Sequence, residues 1–125
     1  MTILAALFIT TSIQFNLPNG LLSSLCFVET RHIASVVHID DGSSHSYGVC
    51  QVKLETAKYL GFKGTVEQLM NPKINIYYAG KYLQKQILRY NDINKGIVAY
   101  NRGNSNKLTR SIYSDKVNKQ WGDNK

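Results

Sequence analysis

Along most of the chain, apolar residues recur three or four positions apart, a period that predicts helices. The opening stretch Met1-Thr2-Ile3-Leu4-Ala5-Ala6-Leu7-Phe8-Ile9 is almost wholly apolar and gives way to Thr10-Thr11-Ser12. It has no basic region ahead of it and no small-x-small cleavage site after it, so it reads as a first helix packed on a core rather than an export leader. It is also far too short to cross a bilayer. Asn16-Leu17-Pro18-Asn19-Gly20 breaks the chain, and Leu21, Leu25 and Val28, with Cys26, form the stripe of a second helix ending near residues 29–32.

Residues 33–47 hold the one stretch with extended character, Val36-Val37 among them, followed by the turn chemistry of Asp40-Asp41-Gly42-Ser43-Ser44. A helix is expected from residue 51 or 52 to Gly61, with Val52, Leu54, Ala57 and Leu60 on its inner face. Thr65-Val66-Glu67-Gln68 has capping-box spacing and opens a short helix stopped by Asn71-Pro72. The longest helix is predicted over residues 74–90, with Ala79, Leu83 and Ile87 on one face and Ile76 and Leu88 beside it. Asp92 caps the next, in which Ile93, Ile97 and Val98 or Tyr100 lie three or four apart. Gly103-Asn104-Ser105-Asn106 reads as a loop, and a last helix over residues 109–121 turns Tyr113, Val117 and Trp121 inward. Together this is a mainly α chain of about six or seven helices with a small irregular or β-hairpin segment near residues 33–47.

Composition narrows the reading. The 125 residues, 43% of them apolar, suffice for one core, so residues 1–125 are expected to form a single domain. The net charge of +7 is uneven: all the lysines fall in residues 51–125. A positive face favours a polyanionic partner such as nucleic acid or an acidic wall polymer. The lysines are spread singly along helices, with no aromatic-interleaved basic run or reading helix, so no specific nucleic acid is expected. Two cysteines, Cys26 and Cys50, are too few for a disulfide framework. Reduced core thiols are the default, and a single bridge the alternative for a protein working outside a cytoplasm.

Glu29 is the candidate for chemistry. It is the only acid before Asp40 and ends the apolar run Leu21-Leu22-Ser23-Ser24-Leu25-Cys26-Phe27-Val28. Such a carboxylate is either a surface residue at a helix end or a general acid held partly dry, its pKa raised toward neutrality. No phosphate-binding glycine loop is present, and His32, His38, Asp40 and His45 match no regular zinc spacing, so neither metal nor cofactor is expected. Glycoside cleavage needs a protonated carboxylic acid and usually a second carboxylate, for which Asp40 and Asp41 are the only nearby choices. Both sit in a turn, where solvation explains them as well, and an enzyme with one committed carboxylate is the expectation.

Five segments extend this reading. Leu25-Cys26-Phe27-Val28-Glu29-Thr30 resembles an apolar helix ending in Glu-Ser, and Gly48-Val49-Cys50-Gln51-Val52 resembles Gly-Leu-Met-Gln. Asn75-Ile76-Tyr77-Tyr78-Ala79-Gly80-Lys81-Tyr82-Leu83 approximates an Asn-x-x-x-Gly-x-x-Tyr-Leu helix, and Ala99-Tyr100-Asn101-Arg102-Gly103 gives Ala-Tyr-Asn-x-Gly letter for letter. Tyr113-Ser114-Asp115-Lys116-Val117 fits a closing Tyr-x-x-x-Val. In this order, over about residues 20–118, they resemble the catalytic domain of the soluble lytic transglycosylases, lysozyme-like enzymes that cleave peptidoglycan. Thr30 for Ser, and Val49-Cys50 for Leu-Met, are the departures, and the polar stretch from Ser35 to Tyr47 is most similar to the short enzymes of phage particles and of conjugation or secretion machineries.

The resemblance implies a lysozyme-like domain cleaving the bond between N-acetylmuramic acid and N-acetylglucosamine without water, leaving 1,6-anhydro ends. Glu29 is then the sole acid and base, with Gln51, Tyr100 and Asn101 lining the substrate and Thr30 and Ser46 in a lesser binding role. It implies peptidoglycan strands as partner, action in the periplasm or cell wall for local wall opening, a monomer in isolation, and association with a virion or a secretion or conjugation assembly. A hydrolysing muramidase on the same fold and a non-catalytic wall-binding component are the alternatives.

Overall fold

The structure, a computed structural model, describes residues 1–39 and 44–123. Helix α1 (Ile3–Gln14) starts at Thr2, whose hydroxyl accepts a hydrogen bond from the Ala5 amide at 3.0 Å. Thr10-Thr11-Ser12 does not end the helix. Thr11 and Ser12 lie on its buried side, and the chain turns only after Gln14. Helix α2 (Leu21–Thr30) buries Leu21, Leu22, Leu25 and Cys26 completely. It ends where Arg31 and His32 both take left-handed conformations, and the His32 Nε2 donates to the Ser23 carbonyl at 2.7 Å. This folds the histidine back along α2, between the rings of Phe8 and Phe27.

Strands β1 (Val37–Ile39), β2 (His45–Tyr47) and β3 (Val52–Lys53) form an antiparallel sheet in that order, with Val37 opposite Tyr47 and Tyr47 opposite Val52. The hairpin expected near residues 33–47 is therefore present. Its turn, with Asp40 and Asp41, lies outside the described residues. Strand β3 was not expected: Val52 read as the inner face of a helix. Gln51 is left-handed at φ 54°, which no helix tolerates, so Val52 pairs with β2 and helix α3 (Leu54–Tyr59) starts two residues later.

Helix α4 (Val66–Leu69) opens with the full Thr65–Gln68 capping box. Helix α5 (Pro72–Tyr90) begins two residues before the expected start, because Pro72 fits its first turn and Asn71 caps it. Asp92 caps helix α6 (Ile93–Arg102) through a bond from the Lys95 amide, and Gly103 ends it in a left-handed turn. Helix α7 (Ile112–Asp123) completes a mainly helical, lysozyme-like architecture.

Long α5 is the spine. Ile76, Ala79 and Leu83 are fully buried on it, whereas Leu88 is 69% exposed and lies off the core face. Its partner α6 approaches closely at Gly96, where a Cβ would stand 2.5 Å from the Ile87 side chain. On α7, Val117 is fully buried, and Trp121 reaches back to donate to the Asn19 carbonyl at 2.9 Å. Each fully buried Leu or Ile of this core contributes about 2 kcal/mol relative to exposure. This packing sets the C-terminal end of α2 against α7, with the end of α6 alongside.

Candidate active site

Glu29 sits in the last turn of α2, mostly removed from water, and burial pushes its carboxyl up to about 7. The Tyr113 hydroxyl of α7 donates to Glu29 Oε2 at 2.8 Å, which favours the ionised form and moderates the rise. Tyr113 itself is held well above the ordinary phenol range by burial and by the charge of Glu29, so it stays a donor. Tyr100, 7% exposed, is pushed up in the same way. The carboxyl thus meets two neutral phenols and no acid among the described residues. Oε1 has no partner among them either, which makes it the oxygen able to carry a proton to a ligand.

The acid lies at the junction of two clefts. The larger, of about 600 Å³, runs toward the sheet and is lined by Ser46, Gln51, Thr56, Tyr82, Tyr100 and Asn101 among others. The second, of about 490 Å³, runs along α7 past Tyr113, Leu108 and Lys116. Glu29, Asn101 and Arg102 face both.

The sheet-side cleft is anchored by the turn over residues 48–51. Gly48 stands at φ 80°, and a Cβ there would meet the Asn75 amide at 2.5 Å, so no other residue fits. Asn75, fully buried, donates to the Tyr47 and Leu69 carbonyls at 2.7 and 2.9 Å and accepts from the Cys50 amide at 2.8 Å. Cys50 is bridged to Cys26 of α2, both fully buried, with their Cα atoms 4.5 Å apart. This corrects the default reading of reduced thiols: the Asn75 bonds deliver the turn to α2, and a separation of that size suits a disulfide.

The expected site residues divide by what their polar atoms do. Asn101 is exposed within α6, one position before its end, so it faces the clefts rather than capping the helix. Ser46 lies in β2 on the cleft wall. Gln51 lines the cleft, but its Nε2 donates to the Val36 and Gly48 carbonyls at 3.0 and 2.9 Å, leaving Oε1 unpartnered among the described residues. The Tyr100 hydroxyl is committed to the Cys50 carbonyl at 2.8 Å, so only its ring, 5.2 Å from that of Tyr82, remains to meet a ligand. Thr30 is turned inward: its hydroxyl is buried, donates to the Val49 carbonyl at 2.7 Å and accepts from the Ile33 amide at 3.2 Å. It braces the turn behind the acid and lines neither cleft.

Sequence reasoning placed Tyr113 inward without linking it to Glu29, 84 positions away. It also gave no role to Asn75 or Arg102, and weighed Tyr82 between stacking on a sugar ring and packing in the core, favouring the core. Asn75 and Tyr82 did stand in a segment matched to a known pattern, a signal for attention but not for contact. Among the described residues no group of three His, Cys, Asp or Glu converges as a metal site would. Of the four residues drawn together for that purpose, Asp40 lies outside the described residues.

Over residues 6–121 the chain matches the family described as "Transglycosylase SLT domain". Protein IpgF of Shigella flexneri is 26% identical over 112 residues, spanning 86% of this chain and 74% of that protein. Protein IpgF of Shigella sonnei is 25% identical over the same length and the same shares.

Proposed function

Since the chain belongs to the transglycosylase SLT domain family, and that family acts on peptidoglycan in the manner of lytic transglycosylases, we propose that Glu29 is the acid and base of the cleavage. The observation that carries this reading is a buried carboxyl with a pKa near 7, poised where two clefts meet. Near neutral pH a substantial fraction of Glu29 is protonated, the condition for giving a proton to the glycosidic oxygen between N-acetylmuramic acid and N-acetylglucosamine. Because Oε2 accepts from Tyr113, the proton is held on Oε1.

Bond cleavage leaves positive charge at the muramyl anomeric carbon and a carboxylate at Glu29. The carboxylate then removes the proton of the muramyl 6-hydroxyl, whose oxygen bonds to the anomeric carbon and closes a 1,6-anhydro ring. Glu29 ends as it began, protonated, and no water is consumed. The substrate's own acetamido group supplies the stabilisation that a second carboxylate gives in other glycosidases. Asn101, the free Oε1 of Gln51, Ser46 and the rings of Tyr82 and Tyr100 bind the sugars on the sheet side. Thr30 acts behind them, by holding the turn.

The Cys26–Cys50 bridge supports action in an oxidising compartment, which for this substrate is the periplasm or the wall. No helix among the described residues is long and apolar enough to cross a membrane. The similarity of the polar stretch from Ser35 to Tyr47 to the short enzymes of such assemblies supports local opening of the wall within a secretion or conjugation machine or a virion. Mass spectrometry of muropeptides released from purified peptidoglycan, wild type beside Glu29→Gln, tests the reaction. Products one water lighter than hydrolytic muropeptides, lost in the variant, are expected. Reducing-end products would make the protein a muramidase, and no product from folded protein would make it a binding component.

A further inference from the structure

Helix α1 is packed inside out. Its buried positions include the polar Thr11 and Ser12, whereas Ile3, Ile9 and Ile13 stand 83%, 42% and 76% exposed. The reason lies at Gly80 of α5, where a Cβ would stand 2.5 Å from Thr11 Cγ2. Only a small side chain fits so close an approach, so Thr11 turns inward and the isoleucines outward. An outward helix face in water ordinarily carries charge, and each of the helices α2 to α7 has at least one charged side chain. Helix α1 has none, and no charged side chain occurs in residues 1–28. Around this apolar face the charge is positive. Helix α1 packs on α5, which carries Lys73, Lys81, Lys85 and Arg89 and no acid. Lys73 lies one turn before Tyr77, whose ring meets Phe15 edge-on at 5.2 Å, and Lys85 follows Gln84, which donates to the Phe15 carbonyl at 2.9 Å. On the α2 side, Arg31 stands over the ring of Phe27, which packs through His32 against Phe8 of α1. The one acid of α2, Glu29, lines the clefts.

An uncharged aliphatic face bordered by cations matches a surface with anions outside and hydrocarbon beneath. An anionic polymer would satisfy the cations and leave the isoleucines in water. A second copy of the chain would set its own cations against these, and the face is too small for it. The 12 residues of α1 span about 18 Å, and a strip about 10 Å wide covers on the order of 200 Å². A stable complex buries about 800 Å² on each partner. We infer that α1 is a docking face for an anionic phospholipid surface. Ile3, Ile9 and Ile13 enter the boundary between headgroups and acyl chains, and Arg31, Lys73 and Lys85 meet headgroup phosphates. No residue of α1 lines either cleft, so docking through this face leaves Glu29 reachable. The inference stands apart from the reaction assigned to Glu29 and is tested without it.

Flotation with phospholipid vesicles tests this. Vesicles of equal parts phosphatidylglycerol and phosphatidylcholine should carry the protein up the gradient. Vesicles of phosphatidylcholine alone forgo the attraction of three cations and should bind it on the order of a hundredfold more weakly. The double variant Ile3→Gln, Ile13→Gln should lose about tenfold or more in affinity for the anionic vesicles. Ile39→Gln, at a 72% exposed isoleucine of β1, should bind as the wild type does. Both isoleucines of the double variant are largely exposed, so it is expected to fold, as thermal unfolding would verify. A wild type that stays behind when the anionic vesicles float would overturn the docking face and leave α1 to a protein partner. Binding that survives the double variant would overturn it as well, because charge alone would then account for the attraction. Equal binding to both kinds of vesicle would overturn the assignment to anionic lipid. Sedimentation velocity covers the remaining occupant: a wild-type dimer that the double variant abolishes would give the face to a second copy and overturn the inference.

Discussion

A carboxyl held near pH 7 by burial makes the folded state less stable whenever it ionises. In the unfolded chain Glu29 titrates near the model-peptide value of 4.5, and in the fold near 7, a rise of 7 − 4.5 = 2.5. Between those two values the folded protein binds more protons than the unfolded one, so stability falls as pH rises. The contribution is fully present below about pH 4.5 and is lost as pH climbs through about 7. At 1.36 kcal/mol for each unit, the loss is about 3 kcal/mol, an order-of-magnitude figure for a group that is mostly buried. Glu29→Gln removes the titration while keeping shape and an acceptor for the Tyr113 hydroxyl. The variant should therefore match the wild type near about pH 4 and exceed it by about 3 kcal/mol near about pH 8.5. In melting temperature the gain is on the order of 10 °C for a domain of this size.

Urea unfolding of both proteins across this range, with the disulfide intact, measures the difference directly. Curves that stay parallel at every pH would refute the reasoning, because a carboxyl with the same pKa folded and unfolded cannot be the neutral-pH proton donor. A difference growing with pH, together with loss of cleavage, would show that stability is surrendered at the residue that does the chemistry.

Tyr113→Phe removes the one hydrogen bond that favours ionised Glu29, so its pKa should rise, and the alkaline limb of the kcat/KM profile should move up by about one unit; an unmoved limb would count against Glu29 as the acid. Replacing Cys26 and Cys50 together by Ala opens a loop spanning 24 positions, for which chain entropy gives about 3.5 kcal/mol of lost stability, measurable by urea unfolding, and a loss below about 1 kcal/mol would contradict the bridge. Asn75→Ala strands the Cys50 amide and the Tyr47 and Leu69 carbonyls inside the protein, and should cost about 3 kcal/mol or more in the same assay.

The helices were legible where sequence chemistry is local. Asp92, and Thr65 with Gln68, cap the helices they were expected to open, since a cap depends on residues only three positions away, whereas Asn71 with Pro72, read as a stop for the short helix, starts the long one. Glu29 stood out for the same reason, as a charge at the end of a greasy stripe. What could not be read locally was pairing across the chain. Thr30 matched a hydroxyl position in a known pattern, yet its oxygen serves the Val49 carbonyl, 19 positions on. Tyr100 meets the Cys50 carbonyl across 50 positions. The failure at Val52 had a conformational source: a non-glycine residue at positive φ carries no reliable sequence signature, and Gln51 is one.

That left-handed Gln51 also accounts for the density of bonds around it. A residue held there costs of order 1–2 kcal/mol and persists only where its surroundings over-determine it. Within the turn, the Val49 carbonyl is held by Thr30, the Cys50 amide by Asn75, the Cys50 carbonyl by Tyr100 and the Cys50 sulfur by Cys26. Three of these four anchors come from α2 and α6, the helices that also carry Glu29 and Asn101. The acid and the cleft wall opposite it therefore share one frame, and the distance between Glu29 and the free Gln51 Oε1 is set by bonds that no substrate has to form. Tyr100 and Thr30 support the site most by leaving their hydroxyls out of it. Either hydroxyl turned toward a sugar would release a carbonyl of the turn, and with it the backbone conformation that presents Gln51.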